Sequence, residues 1–172
     1  MSDLPKGVKP ASASFAWPTL DIDLDLLRTL HKRVVKGGDQ YGLGDKVPIT
    51  ADSSYVRDED VDCSGYVRWL LHRATGEVFD IKDGSYIQHD FVKDIGFKKS
   101  TVANGTIKDG VLRIAFLPPG RVGKIGHVSL ILNGYTLESH SGTGPDSRLW
   151  DVNRRWMSNC DVYVLTAPEK SK

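Results

Sequence analysis

The sequence predicts one α+β domain in which N-terminal helices pack on a central antiparallel sheet. Apolar residues recur at helical spacing in the first half of the chain, most clearly between Asp21 and Lys36. Short strand-like runs dominate the second half, and two of them flank Asn133-Gly134. The length of 172 residues is that of one ordinary domain with a sizeable buried core.

Composition and charge exclude several classes of protein. The hydrophobic fraction of 40% and the charged fraction of 26% are typical of a water-soluble globular chain. A formal net charge of +1 provides no electrostatic footprint for nucleic acid or for an anionic membrane. No apolar run is long enough to span a bilayer, and residues 1–20 lack the apolar core of a signal peptide. We therefore expect synthesis in the cytoplasm and no membrane partner.

The first predicted helix covers Asp21 to Lys36. Asp21 or Asp23 caps its start, and Gly37-Gly38 ends it. Its buried stripe consists of Leu24, Leu27, Leu30 and Val34. A glycine-containing turn with Tyr41 follows, and residues 45–62 are expected to form a long polar loop.

Cys63 is predicted to lie at the N-terminus of the second helix, which ends near Gly76. Asp62 or Ser64 caps its first turn, and Gly65 leaves room for another backbone to approach. The positive end of a helix dipole favours the thiolate, which is the reactive form of cysteine. A buried structural cysteine is the plain alternative, and two downstream histidines argue against it. Cys160 is expected to be a second free thiol, because two cysteines do not make a disulfide framework.

The remaining elements follow from shorter patterns. A helix is predicted over residues 84–93 with Ser85 as its cap, and strands over residues 111–117 and 161–166. Residues 147–159 are expected to be irregular or partly helical.

Asn133-Gly134 predicts a hairpin between the strands His127–Leu132 and Tyr135–His140. A two-residue turn pairs residue 132 with residue 135, so the register places His140 directly opposite His127. Ser129 faces Glu138 in the same way, and all four side chains share one face of the sheet. Opposed residues have Cβ atoms about 5 Å apart, so the register favours contact between the two histidines.

Two motifs resemble the NlpC-type family of papain-like cysteine peptidases. They are Asp62-Cys63-Ser64-Gly65-Tyr66-Val67 and Gly126-His127-Val128-Ser129-Leu130-Ile131. The resemblance covers roughly residues 25 to 165. It implies a papain-like NlpC-type fold, and hydrolysis of amide bonds in the stem peptides of bacterial peptidoglycan, of the γ-D-glutamyl-diamino-acid type. It implies no metal and no organic cofactor.

The resemblance assigns roles to the residues already singled out. Cys63 is the nucleophile and His127 is the base, and an acyl-enzyme forms on Cys63. Relatives commonly carry a histidine on the following strand to orient the base, and the register gives that role to His140. Alignment of the motif instead favours Glu138. Thr136-Leu137-Glu138-Ser139 lies where many relatives carry a hydrophobic residue followed by His-Ala.

The substrate-binding residues expected from the resemblance are Tyr41, Asp62, Ser64 and Glu138. The hydroxyl of Tyr41 is placed to donate to an oxyanion, and Asp62 contacts the amine end of a stem peptide. Substrate carboxylates are expected to meet basic side chains near the hairpin, which are Arg121, Lys124, Arg148, Arg154 and Arg155.

These expectations divide the chain into an irregular arm (1–20), a single catalytic domain (21–167) and a tail (168–172). The expected partner is peptidoglycan or a muropeptide, reached through a secretion machine, lysis or a phage particle, and a monomer is expected. A Cys-His acyltransferase or N-acetylmuramoyl amidase on the same fold stays open, as does a catalytically silent wall-binding module. A toxin held by an immunity partner is a further alternative.

Overall fold

The structure is a computed structural model that describes residues 3–35 and 41–168. The predicted helix stop at Gly37-Gly38 lies outside these residues. The helices are α1 (Leu24–Val34), α2 (Ser53–Asp58), α3 (Cys63–Ala74), α4 (Ser85–Ile95) and α5 (Arg154–Ser158). The strands are β1 (Val8–Lys9), β2 (Thr19–Leu20), β3 (Lys98–Ser100), β4 (Arg113–Leu117), β5 (His127–Leu132), β6 (Tyr135–His140), β7 (Gly144–Asp146) and β8 (Asp161–Val164).

The predicted α+β class is confirmed by a six-stranded antiparallel sheet combined with helices. The strand order is β3-β8-β4-β5-β6-β7, and every neighbouring pair is antiparallel. The last strand of the chain, β8, therefore lies between β3 and β4 inside the sheet.

The main core lies between the helices and one face of the sheet. Helix α3 packs against β5 and β6, and α1 packs against α2 and α3. Tyr66, Trp69 and Leu70 of α3 are fully buried in this core. A smaller core on the opposite face surrounds Trp150, because alternate side chains of a strand point to opposite faces.

The hairpin has the predicted turn and begins with the predicted register. Asn133 and Gly134 both have positive φ angles, 52° and 86°, as a type I′ turn requires. Leu132 pairs with Tyr135, and Leu130 pairs with Leu137. Over the described residues the β5–β6 ladder ends at that pair.

The second half of β6 pairs with β7, which lies on the opposite edge of β6 from β5. Glu138 pairs with Asp146, and His140 pairs with Gly144. The described pairing between β5 and β6 does not extend to His127 and His140. The expectation that these two histidines face each other is wrong for this reason.

Several local expectations also need correction. The N-terminal arm is not irregular throughout, because β1 pairs with β2 and Leu20 is buried. The polar loop 45–62 contains α2, which Asp52 caps. The cap of α4 is Gly84, at a φ of 87°, so Ser85 is the first residue of that helix and does not cap it.

Candidate active site

Cys63 is the first residue of α3 and lies almost fully inside the fold, with 7% of its surface exposed. The carboxylate of Asp62 accepts a hydrogen bond from the backbone N–H of Gly65 at 2.7 Å. This identifies Asp62 as the helix cap, which the sequence left open between Asp62 and Ser64. Cys63 therefore lies at the positive end of the α3 dipole, which favours a negative charge.

Tyr41 lies beside the thiol, as predicted. Its hydroxyl is within hydrogen-bonding reach of Cys63. Burial, together with the negative charges of Cys63 and Asp62, raises the pKa of Tyr41 to about 12. The phenol therefore keeps its proton at neutral pH and can act as a hydrogen-bond donor.

His127 is hydrogen-bonded to Glu138, at 2.8 Å between Nε2 and Oε1. The ring also lies close enough to the Cys63 side chain for the two to interact. His140 bonds instead to Asp146, at 2.9 Å between Nε2 and Oδ2. Glu138, and not His140, is thus the polar group on β6 that contacts His127, because the β5–β6 register does not extend to His127 and His140.

Glu138 is completely buried and is bonded on all sides. Besides His127, it accepts two bonds from Arg148, at 2.6 Å from Nη2 and 3.2 Å from Nε. The hydroxyl of Thr136 donates to its other oxygen. Burial alone would raise the pKa of Glu138, but the bonds from His127 and Arg148 outweigh burial and lower it to about 2. Glu138 is therefore a carboxylate at every physiological pH.

The charge of Glu138 in turn acts on His127. Burial alone would lower the pKa of His127, but its hydrogen bonds to Cys63 and Glu138 raise it to about 9. The indole of Trp156 packs against the ring, with centroids 5.5 Å apart. An imidazolium is thus stabilised between the Cys63 side chain and a buried carboxylate.

Asp62 and Ser64, which were predicted to bind substrate, both contact a residue outside the predicted site. The ammonium of Lys46 lies 2.5 Å from Asp62 Oδ2 and 2.9 Å from Ser64 Oγ. No sequence pattern marks Lys46, which lies in the polar loop. Arg148 was expected to bind substrate carboxylates, and the structure places it on Glu138 instead.

Cys160 is a free thiol, as predicted, and so is Cys63. The thiol of Cys160 donates to the backbone oxygen of Trp156 at 3.4 Å. Burial raises its pKa to about 12, so Cys160 is held in the unreactive thiol form.

A groove of about 230 Å³ opens beside His127, between α4 and the β4–β5 connection. Tyr86, His89 and Arg121 are among its lining residues. Arg121 is already paired with Asp161 at 3.2 Å. The groove is large enough for part of a peptide next to the base.

Within the described ranges, no group of three or more His, Cys, Asp or Glu side chains is arranged to hold a metal ion. No helix in the described part of the chain is long and apolar enough to cross a membrane. Comparison with known proteins found no matching family model and no matching curated protein.

Proposed function

We propose that this protein is a cysteine hydrolase that cuts amide bonds in peptidoglycan stem peptides. One observation carries the proposal: Cys63 at a helix N-terminus lies near His127, whose Nε2 is bonded to the buried carboxylate of Glu138. This order of thiol, imidazole and carboxylate is the arrangement that activates a nucleophile.

The proposed reaction has two steps. The Cys63 thiolate attacks the amide carbonyl, and His127 gives its proton to the leaving amine, which leaves an acyl-enzyme. Water then attacks the thioester with His127 as base, which frees the acid product and restores the thiol. The Cys63 backbone N–H and the Tyr41 hydroxyl are the proposed donors to the tetrahedral oxyanion.

In this mechanism Glu138 takes the orienting role. It fixes the tautomer and direction of the His127 ring, and its charge stabilises the imidazolium between the two proton transfers. Arg148 holds Glu138 ionised and in place through two hydrogen bonds. His140 has no direct part, because its ring is engaged with Asp146.

The substrate class rests on the resemblance of the Asp62-Cys63-Ser64-Gly65 and Gly126-His127-Val128 motifs to NlpC-type peptidases. The papain-like fold is proposed on the same ground, supported by a helix that carries the cysteine and packs on an antiparallel sheet. The site geometry by itself fits amide hydrolysis of any peptide.

The test is incubation of purified muropeptides that carry a diamino acid, with mass spectrometry of the products. We expect a new free amine to appear with the wild-type protein and with Cys160→Ala, but not with Cys63→Ala. Iodoacetamide at pH 7 should label Cys63 before Cys160, because the pKa of the Cys160 thiol is about 12. Circular dichroism of the two alanine variants controls for folding.

Other outcomes would point elsewhere. Cleavage of casein with intact muropeptides would indicate a general protease. Transfer of an acyl group without hydrolysis would indicate an acyltransferase. Full activity of Cys63→Ala, or labelling of Cys160 first, would contradict the proposed nucleophile.

A further inference from the structure

The ammonium of Lys46 lies in a pocket of oxygen atoms one residue away from the nucleophile. Its Nζ contacts Asp62 Oδ2 at 2.5 Å, Ser64 Oγ at 2.9 Å and Asp83 Oδ1 at 3.0 Å. An ammonium has three N–H donors, and each donor here has an acceptor. The pocket is therefore built for one positively charged nitrogen, and the chain supplies that nitrogen itself.

The backbone fixes Lys46 in this position. The N–H of Asp62 donates to the backbone oxygen of Asp45 at 2.9 Å. This bond holds the segment that carries Lys46 next to the start of α3. A Cβ atom at Gly65 would come within 3.1 Å of the Lys46 side chain. The space at Gly65, expected for another backbone, thus accommodates the stem of this lysine.

The carboxylate of Asp62 has little capacity left for a ligand. It caps α3 through Gly65, it contacts Ser64 and Lys46, and only 5% of the residue is exposed. Burial alone would lower the pKa of Lys46, but the bonds to Asp62 and Asp83 raise it, so the side chain is charged at neutral pH. A ligand amine entering here must displace Lys46 or meet its like charge.

We propose that Lys46 occupies the place beside Cys63 that a substrate's free amine would otherwise take, so that the preferred substrates are peptides with an acylated amino end. The inference rests on the proposed function and names its substrate class. Under this proposal, the enzyme prefers stem peptides that are still joined to the glycan through their amino end. Released peptides with a free amine are poorer substrates. It also replaces the expectation that Asp62 contacts the amine of the stem peptide.

The test compares two synthetic stem peptides that differ only in acetylation of the amino end. We expect kcat/KM of the wild-type protein to be at least about tenfold higher for the acetylated peptide, since like charges repel in a partly buried pocket. Lys46→Met retains most of the aliphatic stem and removes the charge. It should lower KM for the free-amine peptide and remove most of the preference. Lys108→Met, at an exposed lysine outside the site, should keep the wild-type ratio.

A second measurement does not depend on hydrolysis. Lys46→Ala leaves the oxygen pocket empty, so n-propylammonium should raise its thermal unfolding midpoint, whereas neutral n-propanol should not. The wild-type protein should show no such difference between the two additives. If Lys46→Ala does not fold, Lys46→Met carries the peptide comparison.

Equal or better cleavage of the free-amine peptide by the wild-type protein would overturn the inference. So would an unchanged ratio in Lys46→Met. If no variant cuts either peptide, the proposed function fails. The propylammonium measurement then decides by itself whether the pocket selects an ammonium group. The absence of a propylammonium effect in a folded Lys46→Ala variant would show that the pocket does not select an ammonium.

Discussion

At the scale of single residues, Glu138 joins two neighbouring charges. One of its oxygens, Oε1, accepts from both His127 and Arg148, at 2.8 Å and 2.6 Å. Its negative charge raises the pKa of His127, while the bonds that it receives keep Glu138 itself ionised. The protonation of the base therefore depends on a carboxylate that solvent does not reach.

Glu138→Gln should separate orientation from charge. Glutamine keeps an oxygen that accepts from His127 but has no negative charge, so the pKa of His127 should fall below its value of about 9. Loss of the imidazolium limits the rate as pH rises, and the alkaline limb of the kcat/KM profile should therefore move to lower pH. We expect the rate at pH 7 to fall by about two orders of magnitude, as for impaired acid–base catalysis.

His140→Ala is the matched control for this variant. His140 lies two residues further along β6, and its ring contacts Asp146. The alkaline limb of the kcat/KM profile of His140→Ala should coincide with that of the wild-type protein. A larger loss in His140→Ala than in Glu138→Gln would restore the orienting role to His140.

At the scale of elements, the sequence predicted what local chemistry determines. Asn133-Gly134 specified the turn and the first pairs of the hairpin, because few residues accept two successive positive φ angles. Asp62 and Cys63 specified a helix start, since a short carboxylate before an apolar stretch is a capping signal. The fold class, the turn of the hairpin and the helix that begins at Cys63 could be predicted in this way.

What the sequence did not predict depends on contacts between distant segments. The register of the hairpin, continued past Leu130 and Leu137, would have opposed His127 to His140, and nothing in the sequence indicated that the pairing would stop there. With the pairing ended, Glu138 and not His140 contacts His127. Lys46 and Arg148 lie in polar segments, where charged residues normally face solvent, and their partners appear only after folding.

The glycine before β5 should be intolerant of a side chain. A Cβ atom at Gly126 would lie 2.8 Å from the backbone oxygen of Leu117 and 3.0 Å from a ring carbon of Pro119. Gly126→Ala must therefore shift the backbone next to His127. We expect a loss of about 1–3 kcal/mol in the free energy of unfolding, as for overpacked sites, and slower hydrolysis.

Gly123→Ala provides the comparison within the same loop. A Cβ atom at Gly123 has no neighbour within 4 Å, so its urea unfolding midpoint should stay at the wild-type value. Equal destabilisation of the two variants would mean that backbone freedom, and not the contact with Leu117, explains the effect.

At the scale of the whole molecule, His31 connects three parts of the fold from a buried position on α1. Its Nδ1 lies 2.6 Å from the hydroxyl of Tyr66 on α3, and its Nε2 lies 2.8 Å from the hydroxyl of Ser147. Burial lowers the pKa of His31 to about 4, against the opposing charges of Asp146 and Glu138. The neutral ring thus ties the helices to the segment that carries Arg148.

This contact should make stability depend on acidity. Below pH 6.5 the unfolded chain protonates His31 while the folded protein does not, so the free energy of unfolding should fall as pH drops from 6.5 to 4. The contribution of this one residue across that range is about 3 kcal/mol. His31→Gln can still donate and accept hydrogen bonds but cannot titrate.

Chemical unfolding at pH 7, 5.5 and 4 checks this prediction. The wild-type protein should lose more stability across the series than His31→Gln does. Parallel losses in the two proteins would assign the acid sensitivity to other groups.

The position of β8 between β3 and β4 affects when the site can form during synthesis. Residues 63, 127 and 138 all leave the ribosome before residues 161–164 do, yet the sheet that supports β5 and β6 lacks an inner strand until β8 is inserted. β-sheets with such distant pairings close late in folding, because long loops must be ordered first. The nascent chain therefore presents Cys63 before the sheet that positions His127 and Glu138 is complete, and the proposed activity would arise only after β8 is inserted.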